Sequence, residues 1–164
     1  MANSKISEHV SIIEEKNKNI TDSINYAKRI QQAILPSDEE IRKSLPDSFI
    51  LYKPKDVVSG DFYWFAERDG KILIAAVDCT GHGVPGAFMS MIGSALLNEI
   101  VTEKNVTNAG KFLDTLRESI IKAMKQTGAA GESKDGMDIA LCVLGKNKLQ
   151  FAGANNPVWI VSNG

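Results

Sequence analysis

The chain has 164 residues, of which 43% are hydrophobic and 24% charged, the balance of an ordinary globular domain. Its 19 basic and 20 acidic side chains give a net charge of -1. This leaves no broad cationic surface for nucleic acid or anionic lipid, and we expect neither partner. No apolar run approaches the ~20 residues of a membrane span, and the start lacks the apolar core of a signal peptide. These features predict a cytoplasmic protein without membrane insertion. Cys79 and Cys142, the only cysteines, are expected to be reduced thiols in or near the core.

The first segment carries a heptad pattern. Its seam residues recur at alternating spacings of four and three: Ile6, Val10, Ile13, Asn17, Ile20, Ile24 and Ala27. With Ile6 at a d position, Asn17 falls at an a position, where a single asparagine fixes register and favours a parallel dimer. The pattern predicts a helical linker over residues 1–35, ended by Pro36, that pairs with a second copy. The alternative is an amphipathic helix that lies on its own domain.

Strand patterns replace the helical pattern after Pro46 and mark a second domain over residues 47–164. The predicted elements follow in chain order: strands at 49–52, 61–66 and 72–78, helices at 85–101 and 109–127, and strands at 138–144, 148–152 and 157–161. A short polar segment, residues 37–45, lies before them between Pro36 and Pro46. Strands, two helices and strands again predict an α+β layered domain.

The Asp-Gly turn at residues 69–70 brings two aspartates together. If these residues form a two-residue hairpin loop, Arg68 pairs with Lys71, and the same register places Asp61 opposite Asp78. Like charges directly opposed on neighbouring strands are destabilising. Either one carboxyl is protonated, or a cation lies between the two, or the register differs by one residue. Mg²⁺ and Mn²⁺ prefer carboxylates and backbone carbonyls, so a hard dication resolves the repulsion, with the Cys79 carbonyl in reach as a further ligand.

The segment after Asp78 holds glycines at positions 81, 83 and 86, spaced as in the phosphate-binding turn of dinucleotide enzymes. Those enzymes place an acid for the ribose at the end of a following parallel strand, but here the same spacing falls in or just past a helix. A dinucleotide binder is therefore the weaker alternative to a metal-binding loop. His82 is a candidate general acid or phosphate contact, and a simple loop hydrogen bond explains it as easily. Asp138, at the start of the second hairpin, could bring a further carboxylate to the same end of the sheet.

Four ordered segments carry a resemblance to a known family: Gly60 to Trp64, Val77 to Ser90, Gly136 to Leu144 and Phe151 to Val161. They closely resemble the SpoIIE-type (RsbU-like) branch of the metal-dependent 2C-type (PPM) serine/threonine phosphatases. Residues 27–36 resemble the segment that leads into that domain. The resemblance implies an α-β-β-α sandwich with a centre of two Mn²⁺ or Mg²⁺ ions. It also implies that Asp61, Asp78 and the Cys79 carbonyl are metal ligands, with Asp138 as an additional carboxylate.

The same resemblance implies a function. Such enzymes remove phosphate from phosphoserine or phosphothreonine on a regulatory protein in bacterial signalling, such as an anti-anti-sigma-factor-like substrate, by attack of a metal-activated water. Family members continue with further strands that supply the remaining metal carboxylates. The chain is therefore expected to form a partial sandwich, truncated at its C-terminus, with feeble activity by itself. The alternative is a non-catalytic dimerising signalling module with a phosphatase-like fold.

Overall fold

The computed structural model describes residues 2–129, 131–132 and 135–162. The outer limits of the two predicted domains, Met1 and Gly164, lie outside this part of the chain. The helices and strands follow in order: α1 (Ala2–Ile34), α2 (Asp38–Ser44), β1 (Phe62–Arg68), β2 (Lys71–Cys79), α3 (Gly83–Thr102), α4 (Ala109–Ala123), β3 (Met137–Gly145) and β4 (Lys148–Ala154). The α+β class and the long N-terminal helix are as predicted.

The strands form one antiparallel sheet in the order β1-β2-β3-β4. Asp69 and Gly70 both have positive φ, 52° and 68°, which is the geometry of the tight hairpin turn that an Asp-Gly pair favours. The turn pairs Arg68 with Lys71 and continues without a bulge to Phe62 opposite Val77. The predicted register of this hairpin is confirmed.

Helices α3 and α4 cover one face of the sheet and form the core with it. Alternate strand residues point into this core, and Leu73 and Leu141 are 0% exposed. From α4, Phe112 is fully buried and its ring lies 5.9 Å from that of Trp64. Trp64 in turn donates its indole N–H to Asn98 of α3 at 2.8 Å. Both cysteines are free thiols, as expected, with Cys79 buried and Cys142 half-buried.

The two core helices differ in detail from the sequence prediction. Among the described helices, α3 is by length and composition apolar enough to cross a membrane, with a mean hydropathy of 1.3, so the prediction that no apolar run approaches this length was wrong. Half of that run is buried inside the fold, where it packs on the sheet and α4 as a core helix does. Helix α4 ends at Ala123, before the predicted end at residue 127. Lys125 takes a left-handed conformation, with φ 53°, that a helix cannot continue through.

The opposite face of the sheet is open. Residues 49–52 and 157–161, both predicted as strands, have no regular structure, and those two predictions were wrong. Strand propensity is decided by cross-strand neighbours, and within the described residues neither segment has a partner strand to pair with. They border a groove of about 780 Å³ over Tyr63 and Ile74, and Trp159 is 86% exposed beside it. The described residues thus form one β-layer of the sandwich.

Residues 37–45 contain a short helix that the sequence analysis missed. Ser37 is the N-cap of α2, and its Oγ accepts a hydrogen bond from the Glu40 N–H at 3.2 Å. Acidic residues fill the first turn and basic residues the last turn, which suits the helix dipole. The signal was present in the sequence, because Ser-x-x-Glu is the pattern of a capping box. Ile41 is buried and anchors the helix to the domain.

Helix α1 ends at Ile34, just before Pro36, as predicted. Its heptad seam has two different environments. Seam residues from Ile6 to Ile20 are exposed, with Ile6 at 61% and Ile20 at 57%. Further along, Ile24 is half-buried and Gln31 is buried on the domain. The alternative of a helix lying on its own domain therefore holds only for the last turns of α1.

Candidate metal centre

Asp61 and Asp78 lie side by side at one end of the first hairpin. Asp61 immediately precedes β1 and Asp78 is the last but one residue of β2, so the register that pairs Phe62 with Val77 brings the two aspartates together. Partial burial, the charge of Asp78 and a hydrogen bond with Asp78 raise the pKa of Asp61 above its ordinary value of 3.8. The structure therefore places the two carboxyls next to each other, as the register predicted from the sequence requires.

Asp138 lies on the next strand, directly opposite Asp78. The three aspartates form a row at this end of the sheet, with Asp61 just before β1, Asp78 on β2 and Asp138 on β3. Asp138 is turned to another partner, because its Oδ1 accepts a hydrogen bond from the Asn155 side-chain amide at 3.0 Å. In the part of the chain that the structure describes, no three Asp, Glu, His or Cys side chains converge on one point. The fold thus brings together Asp61 and Asp78 and leaves Asp138 beside them.

The backbone at Cys79 is fixed close to this pair. The Cys79 thiol is buried, and burial together with the charges of Asp78 and Asp61 raises its pKa to about 12, so it stays protonated and is a poor ligand. Its carbonyl oxygen lies 3.1 Å from the position that a Cβ on Gly60 would take, next to Asp61. Thr80 anchors the loop between β2 and α3 to the start of β3. Its N–H donates to the Gly136 carbonyl at 3.0 Å, and its Oγ1 accepts from the Gly136 N–H at 3.1 Å.

Glycines in this loop and in the first turn of α3 allow close backbone contacts. Gly81 has a φ of 90°, which favours glycine. A Cβ on Gly86 would lie 2.6 Å from the Gly81 carbonyl oxygen and 3.0 Å from the Gly60 Cα. These contacts hold the loop between the strand ends that carry the two aspartates. The three strand pairs are all antiparallel, so the parallel sheet that a dinucleotide site requires is not formed by the described strands.

His82 is paired with a residue that the sequence analysis did not single out. Its Nδ1 lies 3.0 Å from Oδ2 of Asp56, and both side chains are exposed. His82 occupies the N-cap position of α3 but makes no side-chain capping bond. A loop hydrogen bond, the simpler of the two explanations, is what the structure shows.

Sequence reasoning also missed the groups that hold the backbone of Asp61. The Asp61 N–H donates to Oγ of Ser59 at 3.0 Å, and the Tyr52 hydroxyl donates to the Asp61 carbonyl at 3.1 Å. The Ser59 contact is local, since its hydroxyl accepts the N–H two residues on as in an ST turn, and the serine itself was the available signal. The Tyr52 contact has no such signal, because it depends on how the irregular segment between Tyr52 and Asp61 folds back on itself. Together they fix the direction in which the Asp61 carboxylate leaves the backbone.

The residues fit a hard divalent cation. Two carboxylates and a backbone carbonyl are the oxygen donors that Mg²⁺ and Mn²⁺ prefer. The raised pKa of Asp61 reflects in part a like-charge repulsion that a dication would relieve. With two converging carboxylates, an ion would keep several waters in its coordination shell, as Mg²⁺ commonly does. Such waters can be activated as nucleophiles.

No family model and no curated protein matches the chain. Among solved structures, the chain is similar to the SiaA-PP2C domain of Pseudomonas aeruginosa, with 37% sequence identity and a TM-score of 0.72. The match covers 85% of this chain and 55% of that one. The fold is therefore PP2C-like, and the similarity supports the PP2C-type (PPM) phosphatase family. The chain spans about half the length of the solved domain that it matches.

Proposed function

We propose that the chain is part of a metal-dependent protein serine/threonine phosphatase of the SpoIIE-type branch, acting in the cytoplasm on a phosphorylated regulatory protein. The observation that carries this proposal is the pair Asp61 and Asp78, held side by side on a PP2C-like fold where two negative charges repel each other. The four sequence segments that resemble the branch lend further support.

In this proposal each residue near the pair has a defined task. When bound, Mn²⁺ or Mg²⁺ would supply the nucleophile by lowering the pKa of a coordinated water. Asp61 and Asp78 would hold the cation together with the Cys79 carbonyl. Ser59 and Tyr52 orient Asp61 through its backbone N–H and carbonyl. No side chain of the protein needs to act as a nucleophile.

A second candidate function is a non-catalytic signalling module with the same fold. It is favoured by a specific observation: in the described residues only two carboxylates converge, and Asp138 is engaged with Asn155. A two-metal centre has ions ~3.5–4 Å apart and needs more protein oxygens than these to hold both. The two candidates differ in turnover, which can be measured directly.

We expect the 164-residue chain to hydrolyse a small phosphoester such as p-nitrophenyl phosphate slowly, only with millimolar Mn²⁺, and not after addition of EDTA. The rate should be low because few protein ligands leave the ion weakly bound. Asp78→Asn should remove the remaining turnover. Mn²⁺ binding without any turnover would favour the non-catalytic module, and turnover unaffected by EDTA would contradict both.

We also propose that α1 pairs in parallel with α1 of a second copy through its exposed seam. The side chains of Ile6, Val10, Ile13 and Ile20 are between 48% and 61% exposed, and none of them is covered by the chain's own domain. Burying such a row of aliphatic side chains is the driving force of a coiled coil. Asn17, which lies in the same row, would fix the register.

Ile13→Glu is expected to convert the dimer into a monomer, because it places a charge in the middle of the seam where the partner's copy of the same charge faces it. Lys18→Glu is the matched control, since it changes charge on the same helix away from the seam. Sedimentation equilibrium measures both. A wild-type chain that stays monomeric at high concentration would contradict the dimer.

A further inference from the structure

A buried glutamine connects α1 to the segment that carries Asp61. Gln31 is 4% exposed and uses both ends of its amide. Its Nε2 donates to the Ser59 carbonyl at 2.6 Å and to Oγ of Ser90 at 2.7 Å, and its Oε1 accepts from the Ser59 N–H at 3.0 Å. The side chain therefore binds both backbone groups of Ser59, as a neighbouring strand would.

This contact replaces a missing strand partner. Residues 53–61, which lead into β1, have no regular structure, so no ladder fixes their backbone. Buried backbone N–H and C=O groups require partners, and at Ser59 the Gln31 amide supplies both. The orientation of the Ser59 peptide groups is thereby set by a side chain of α1.

The contact continues to the candidate metal ligand. Ser59 Oγ accepts a hydrogen bond from the Asp61 N–H at 3.0 Å. Hydrogen bonds therefore run from Gln31 of α1 through Ser59 to Asp61. On the other side, Ser90 is 0% exposed and donates to the Ala87 carbonyl at 2.9 Å. Ala87 follows Gly86, whose backbone packs against Gly60 and the loop. Gln31 thus contacts both segments that frame the pair of aspartates.

A purely structural role for Gln31 would be to hold the end of α1 against the domain. An apolar side chain can do that at lower desolvation cost, and Leu35, the residue directly after α1, does pack on the core. What Leu35 lacks is any bond to the segment around Ser59. Gln31 also follows Ile24 by one heptad, so the seam that is open near the start of α1 is occupied here by the domain itself.

We infer that Gln31 is a positioning residue for Asp61, so that cation binding depends on the hydrogen bonds between Gln31 and Ser59. This inference rests on the proposed metal-dependent function. Residues that orient a metal ligand typically affect metal affinity by ~10–100-fold when they are replaced. Gln31 acts through Ser59, so its effect should lie at the lower end of that range.

The test compares three variants of the full chain by isothermal titration with Mn²⁺ and by amide hydrogen exchange without metal. Gln31→Leu removes the bonds to Ser59 and is expected to raise the Mn²⁺ Kd by about 10-fold, with faster exchange at the Ser59 and Asp61 amides. Ser59→Ala removes the acceptor of the Asp61 N–H together with the hydroxyl's contact to Tyr52, is too small a change to unfold the domain, and should raise the Kd by several-fold. Leu35→Ala is the control, and it should lower the melting temperature but leave the Kd unchanged.

The inference is overturned if Gln31→Leu and Ser59→Ala bind Mn²⁺ as the wild type does, or if all three variants lose affinity in proportion to their loss of stability. A wild-type chain that binds no Mn²⁺ would refute the proposed function. In that case the exchange measurement still decides the inference, because unchanged protection of the Asp61 amide in Gln31→Leu would show that Gln31 does not position it.

Discussion

Asp78→Asn is expected to make the metal-free protein more stable at neutral pH and, at the same time, to abolish Mn²⁺ binding. Partial burial and the neighbouring Asp78 raise the pKa of Asp61 in the folded state above 3.8. A carboxyl whose pKa is raised by folding contributes stability below its unfolded pKa and loses it as pH rises through the folded pKa. At pH 7 the charged pair therefore opposes folding. Removing one charge should gain about 0.2–1 kcal/mol, the usual magnitude for a cross-strand pair.

Thermal unfolding at pH 7 and pH 3, with and without Mn²⁺, measures both effects. The wild type should gain stability from Mn²⁺ by about 2.7 kcal/mol at 100 times its Kd, and Asp78→Asn should gain nothing. The stabilisation of the metal-free variant should shrink at pH 3, where Asp61 is protonated in both proteins. Asp114→Asn, on α4, controls for the loss of one negative charge. Lower metal-free stability of Asp78→Asn with an intact response to Mn²⁺ would refute the assignment.

Gly86→Ala is expected to destabilise the fold by about 3 kcal/mol, the upper part of the range for overpacked sites. The added Cβ would lie 2.6 Å from the Gly81 carbonyl oxygen and 3.0 Å from the Gly60 Cα. Both neighbours are backbone atoms, so neither can give way by a rotamer change. Relief of the clash has to move the loop after β2, which lies next to Asp61 and Asp78. Mn²⁺ affinity should therefore fall as well.

Gly110→Ala provides a matched control for this substitution. Gly110 also lies near the start of a helix, but a Cβ there would approach only the Asn108 side chain, at 3.7 Å. Alanine should therefore stabilise α4 by about 0.5–1 kcal/mol. Urea unfolding of the two variants gives both values. Equal effects of the two substitutions would show that the backbone contacts at Gly86 are not tight.

Those parts of the structure that depend on local chemistry could be predicted from the sequence. The two residues of the Asp-Gly turn fix the register of the first hairpin, and the adjacency of Asp61 and Asp78 follows from that register. The end of α1 before Pro36 and the core helices are equally local. The capping pattern of α2 is local too, and it could have been recognised from Ser37 and Glu40.

Contacts between distant segments could not be predicted. Residues 49–52 and 157–161 have strand-like composition, but whether they form strands depends on a neighbour that composition does not specify. Two helices separate β2 from β3, so no turn rule gives the register that sets Asp138 opposite Asp78. The bonds of Gln31 to Ser59 and of His82 to Asp56 likewise join segments far apart in the chain.

A crystal of the protein soaked in Mn²⁺, with data collected at the manganese absorption edge, tests the central claim most directly. The claim is that Asp61 and Asp78 share a divalent cation at the end of the first hairpin. We expect an anomalous peak within about 2.5 Å of an oxygen of each carboxylate, slightly above the 2.0–2.1 Å of Mg²⁺–oxygen bonds, and on the side of the Cys79 carbonyl. An anomalous peak elsewhere in the protein would contradict the claim. So would the absence of any peak in a crystal in which the two carboxylates remain in contact.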